Sequence, residues 1–136
     1  MQVQGQCHCG QIRYEAQVDP ATVRVCHCTD CRTLSGGAFR VSVRAPAETL
    51  VMQGKPATYT KTAQSGAKRV QGFCSNCGTS LFSAAADNPQ AYMLRISALK
   101  QCGELKPGIQ IWMRSALPWT QTLHDLEVYE EQGGPL

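Results

Sequence analysis

Seven of the eight cysteines fall in three tight groups: Cys7 and Cys9, then Cys26, Cys28 and Cys31, then Cys74 and Cys77, with Cys102 alone. Thiols spaced so closely make strained disulfide partners, whereas in a reducing compartment they read as ligands for a metal ion. In Cys74-Ser75-Asn76-Cys77-Gly78 two sulfurs three residues apart can bite one tetrahedral ion, and the glycine tolerates the tight turn around it. Cys7-His8-Cys9-Gly10 repeats the idea with a shorter bite. Neither pair fills four positions alone. Together they predict a closed, structural Cys₄ zinc site that clamps the start of the chain to a point near residue 75, where closing so long a loop should stabilise most.

Cys26-His27-Cys28-Thr29-Asp30-Cys31 is different, because six consecutive residues supply three thiolates. Three protein ligands on a tetrahedral ion leave one position open, the pattern of catalytic zinc. The alternative is that Cys102 or a histidine closes the site. His8 and His27 each lie between two ligand cysteines and should point away from the metal. Asp30 and His27 are the nearest groups for proton transfer. Arg24, Arg32, Arg40 and Arg44 surround the trio in sequence; most should be solvated or balance thiolate charge, and one or two could hold a substrate carboxylate. Arg32, Phe39 and Arg40 are the candidate substrate-binding residues. Cys102 reads as a loop thiol or small buried residue, His124 as packed or at the surface, and Trp112 and Trp119 as core or interface aromatics.

The elements that must hold these groups are strands. Ile12, Tyr14 and Ala16 alternate with polar neighbours, as do Phe39, Val41 and Val43. Thr58 to Thr62, Tyr92 to Ile96 and Leu126 to Tyr129 also read as strands, with proline or glycine breaks between segments. Many short strands predict an all-β fold of antiparallel sheets. One short helix is expected from an N-cap at Thr29 through Leu34, ended by Gly36-Gly37, which puts Cys31 in its first turn. Cys7-His8-Cys9 and Cys26-His27-Cys28 share a tripeptide, read as two metal turns of similar design.

At 136 residues and 43% hydrophobic, the chain is expected to form a single domain over 1–136, frayed from about 130. It has no apolar run of about 20 residues to span a membrane and no secretory leader, so a cytoplasmic location is expected. The formal charge of +3 counts cysteines as neutral; seven thiolates on two dications shift it by −3, to zero. That leaves little positive charge to favour a nucleic-acid partner.

The chain resembles the glutathione-dependent formaldehyde-activating enzyme family, the CENP-V/GFA domain. The resemblance is carried by Gly5-Gln6-Cys7-His8-Cys9-Gly10, Cys26-His27-Cys28-Thr29-Asp30-Cys31-Arg32, Ser35-Gly36-Gly37-Ala38-Phe39, Gly72-Phe73-Cys74-Ser75-Asn76-Cys77-Gly78-Thr79 and Pro118-Trp119. It implies an Mss4-like zinc-binding β fold, with structural zinc on Cys7, Cys9, Cys74 and Cys77 and a second zinc on Cys26, Cys28 and Cys31. It further implies a carbon–sulfur lyase activity, the addition of glutathione to formaldehyde. Gln110 is a departure, since relatives often carry a histidine ahead of the Ile111 to Trp119 region. The expected chemistry is therefore reversible addition of a small-molecule thiol to a small electrophile, at a zinc that keeps the thiol ionised. The expectation from another class is a non-catalytic, zinc-stabilised binding module for a protein or nucleic acid. A homodimer is the candidate assembly.

Overall fold

A computed structural model describes residues 1–63 and 65–133. Among them are the strands β1 (Gln2–Gln6), β2 (Arg13–Gln17), β3 (Arg24–Cys26), β4 (Arg40–Pro46), β5 (Val51–Gln53), β6 (Ala57–Thr62), β7 (Lys68–Phe73), β8 (Ser80–Ala85), β9 (Ala91–Arg95) and β10 (Ile109–Ile111), with the helix α1 (Thr29–Ser35). They form a small sheet, β1-β2-β5, and a large one in the order β10-β3-β4-β9-β8-β7-β6. The expected all-β class holds. One pair departs from the antiparallel expectation: β10 runs parallel to β3. The chain returns to that edge from the far side, where Gly108 N donates to Val23 O and His27 N to Ile111 O.

Alternation does what the sequence implies in β2, where Tyr14 and Ala16 are buried and Arg13, Glu15 and Gln17 are exposed. Residues of both sheets share one core, which includes Val3, Tyr14, Val43, Leu81 and Leu94 together with Cys7 and Cys74. At two places the outer end of an aromatic ring covers a glycine in the neighbouring strand. A Cβ on Gly5 would stand 2.1 Å from the Tyr14 ring, and one on Gly72 would stand 2.3 Å from that of Phe82. Gly72 comes just before Cys74, so this contact helps seat the turn that carries two of the ligands.

The N-cap of α1 is Cys28 rather than Thr29. The Cys28 sulfur accepts from Cys31 N, so a candidate metal ligand does the capping that a hydroxyl would otherwise do. Gly36, at φ +69, ends the helix as expected. Leu126 to Tyr129 form no strand. Alternation alone is insufficient, because a strand also needs a neighbouring edge for its backbone groups, and here Leu126, Val128 and Tyr129 are all exposed. Trp112 and Trp119 lie outside the core, both more than half exposed. Residues 130–133 of the expected frayed tail are exposed, and 134–136 lie outside the described residues. Among the described residues no helix is long and apolar enough to cross a membrane.

Gly72→Ala should lower stability by about 1–3 kcal/mol, the usual range for overpacking a well-filled site. Urea unfolding would register this as a lower midpoint at unchanged slope.

Candidate metal centres

The turn from β1 to β2 carries Cys7 and Cys9, and the turn from β7 to β8 carries Cys74 and Cys77. The two turns are built alike. The first cysteine donates its N–H to the carbonyl five residues on, Cys7 to Ile12 and Cys74 to Thr79, both at 3.0 Å. The closing glycine donates back, Gly10 to Cys7 O at 3.0 Å and Gly78 to Cys74 O at 2.8 Å. Gly10 and Gly78 take φ +82 and +76, a region that side chains with a Cβ disfavour. His8 N donates to Thr79 Oγ1 at 3.0 Å, tying one turn to the other.

The four sulfurs lie within 4.8 Å of one another. Cys7 Sγ is 3.6 Å from Cys9 Sγ, and Cys9 Sγ is 3.7 Å from Cys74 Sγ. A tetrahedron with metal–sulfur bonds of about 2.3 Å has edges of about 3.8 Å, so the spacing fits an ion such as zinc. It is far too long for a disulfide, and all eight cysteines are free. Ile12 N donates to Cys7 Sγ at 3.2 Å. The Thr79 hydroxyl, 3.1 Å from Cys77 Sγ, and nearby backbone N–H groups pull the Cys77 thiol down to about 5.

The inner group is assembled differently, so the shared Cys-His-Cys tripeptide does not mark a shared design. Cys26 ends β3, Cys28 caps α1 and Cys31 lies in its first turn. Their sulfurs also lie within 4.8 Å of one another, and among the described residues no histidine, carboxylate or fourth cysteine joins them. Cys31 N donates to Cys28 Sγ at 3.3 Å. Cys26 is held down at about 5, chiefly by its hydrogen bond with Cys31, and that same bond pushes Cys31 up. Three thiols packed so closely cannot hold their protons independently. A soft cation that replaces those protons suits the donor set.

Around the trio opens a cleft of about 530 Å³, lined by Arg24, Arg44, Lys61, Arg69 and Arg95, with Asp30 and Trp112. Asp30 is paired with Lys61. His27 points elsewhere, as expected for a residue between two ligands. Its Nε2 is 2.9 Å from Gln110 Oε1, and its buried ring leans on Phe39 with centroids 5.4 Å apart. Gln110 thus holds this histidine from β10. Of the other expected residues, Arg32 donates from Nη1 to Ser115 O at 2.9 Å, and Arg40 lies buried and donates to Gln71. His8 is exposed, Cys102 sits on an exposed turn and His124 is at the surface beside Asp125.

Sequence reasoning missed Gln71, Arg95, Lys61 and Arg69. Arg95 follows the buried Leu94 in β9, and both are interior. A charged residue in an apolar strand normally faces water; only the pairing of β9 with β4 and β8 shows why this one does not.

Comparison with known proteins agrees with the cysteine pattern. The model of the family described as glutathione-dependent formaldehyde-activating enzyme matches residues 2–115. A Halomonas elongata protein, named provisionally as such an enzyme, is 32% identical over 87 residues, which cover 60% of this chain and 55% of that protein. The chain therefore aligns with only about half of that relative's length. The crystal structure of a Rhodobacter sphaeroides protein superposes with a TM-score of 0.63 at 22% identity, covering 79% of this chain and 98% of the other, which shows a common fold. With the family model spanning both cysteine groups, this chain belongs to the glutathione-dependent formaldehyde-activating enzyme family.

Proposed function

We propose that this chain is a zinc-dependent enzyme of the carbon–sulfur lyase type, adding a thiol such as glutathione reversibly to a small aldehyde such as formaldehyde. The observation that carries this reading is the inequality of the two cysteine groups: four sulfurs in the outer one, and three, bordering a basic cleft, in the inner. We assign zinc to both, structural at Cys7, Cys9, Cys74 and Cys77 and catalytic at Cys26, Cys28 and Cys31. Bound at the trio, zinc supplies an open position that keeps a thiol ionised at neutral pH, where a free thiol of pKa about 8.5 is only a few per cent ionised.

The chain's own groups supply orientation and charge. Arg24, Arg44 and Arg69 line the cleft and attract the carboxylates of a peptide thiol. In the addition, a carbon–sulfur bond forms at the carbonyl carbon, and the carbonyl oxygen gains the proton that the thiol gives up. We assign the passing of that proton to Asp30, which lines the cleft and pairs with Lys61. Arg32, Phe39 and Arg40, the substrate-binding candidates from the sequence, do not line this cleft: Arg32 is held by Ser115 O, Phe39 packs on the His27 ring and Arg40 is buried. The reducing cytoplasm suits such thiol chemistry. The exposed Trp112, Trp119 and Val128 favour one competing reading, a zinc-stabilised binding module.

Cys28→Ser should drop the metal content from two ions to one per chain with the circular dichroism spectrum retained. Adduct formation should fall by more than the roughly 10–100-fold that second-layer partners of a metal are worth. Full adduct formation in that variant would sink the catalytic assignment, and two inert ions with no response to thiol in the wild type would favour the binding module.

Cys77→Ser should instead disrupt folding. A structural zinc site contributes free energy comparable to a whole domain's stability, so the thermal midpoint should drop by about 10 °C or more. Chelation of the wild type to completion should have the same effect, read by scanning calorimetry.

A further inference from the structure

Beside the inner cysteines lie two arginines that meet no carboxylate: Arg40 pairs with Cys26 across β3 and β4, and Arg95 lines the cleft with all three cysteines. Arg40 and Arg95 are each only 5% exposed. Gln71 joins them, its Oε1 accepting from Arg40 Nη1 at 3.1 Å and from Arg95 Nη2 at 2.9 Å. Arg95 Nη1 donates to Ser42 Oγ at 2.7 Å. Arg40 Nε and Nη2 and Arg95 Nε find no acceptor. The ion pairs among the described residues are Lys61–Asp30 and His124–Asp125, and neither involves these arginines.

A buried charge without a counter-ion is strongly unfavourable, and two like charges sharing one bridging amide are worse. Negative charge is therefore needed close by, and the cysteine trio is where it can come from. Burial pulls both guanidinium groups down, Arg95 to about 9 with Arg40 adding to the effect, while Cys31 and Cys26 oppose the fall in both. The charges can be counted. Three thiolates on a dication carry −1, and an anionic fourth sulfur makes −2, which matches the two arginines. A neutral fourth ligand leaves one positive charge unbalanced in the interior.

We propose that Arg40 and Arg95, joined through Gln71, are the built-in countercharge of the inner cysteine site and make its open position selective for an anionic ligand over a neutral one. The arginines are thus positioning residues that act through charge. The inference rests on the reading that the trio holds a divalent metal, and it adds what decides between possible fourth ligands.

The test uses Arg40→Met and Arg95→Met, which keep bulk and remove charge, with Arg95→Lys as the charge-retaining control. In cobalt-loaded protein, visible absorption would report binding of 2-mercaptoethanol and of imidazole. Each methionine variant should bind the thiol about tenfold more weakly, the order expected for one charge acting through a partly buried site, with imidazole affinity within about twofold of wild type on the same grounds. The lysine variant should resemble wild type. Arginines that served only packing would weaken both ligands alike, and that result overturns the proposal. If the wild type binds no thiol, the proposed function fails, and the countercharge is judged by chelator competition instead. The inner metal should then leave Arg95→Met at about tenfold lower chelator than wild type or Arg95→Lys, and equal retention would refute it.

Discussion

The fold depends on the meeting of four sulfurs from two turns. One turn belongs to the small sheet and the other to the large sheet, so the cluster of Cys7, Cys9, Cys74 and Cys77 is where the two sheets are joined. Cys7 and Cys74 are at the same time core residues, packed with Val3, Tyr14 and Leu81. The hydrogen bond from His8 N to the Thr79 hydroxyl binds the turns in the same place. A chain of this size buries a modest core, and a metal ion held by these four sulfurs would add stability that apolar burial alone supplies only marginally.

The inner site depends in turn on strand register. Cys26 pairs with Arg40 across β3 and β4, and Ser42, two residues on, pairs with Arg95 across β4 and β9. A sulfur, two buried cations and the hydroxyl that anchors one of them are therefore set side by side by backbone pairing. A shift by one residue would turn these side chains to the opposite face. The chemistry of the site is thus written into the middle of the large sheet, and the helix contributes only its first turn.

Much of this was legible in the cysteines, because ligand spacing is a short-range property that survives without knowledge of tertiary contacts. The pairing of 7/9 with 74/77 and the separateness of 26/28/31 both follow from it. Strands with clean alternation, such as Arg13–Gln17, were legible too. Ser80–Ala85 was not, because its central residues are buried on both faces and show no period of two. Leu126 to Tyr129 misled for the opposite reason, having the period without an edge to pair with. Arg95 and Gln71 were invisible because a buried charge contradicts the ordinary preference of its residue type, and only the surroundings explain it. Cys28 as helix cap was missed because sulfur is not the usual capping atom.

The parallel pairing of β10 with β3 has a consequence for the order in which the molecule is completed. Contacts across 83 positions tie His27 to Gln110 and Arg32 to Ser115, so both flanks of the inner trio are held by the last third of the chain. The outer four ligands all come from residues 7–77, with β8 and its Phe82 completing the second turn. During synthesis all four outer ligands are therefore made before the strand that braces the inner group. Among the described residues β10 is the last strand to be made, so the inner trio gains its brace only when the large sheet is complete.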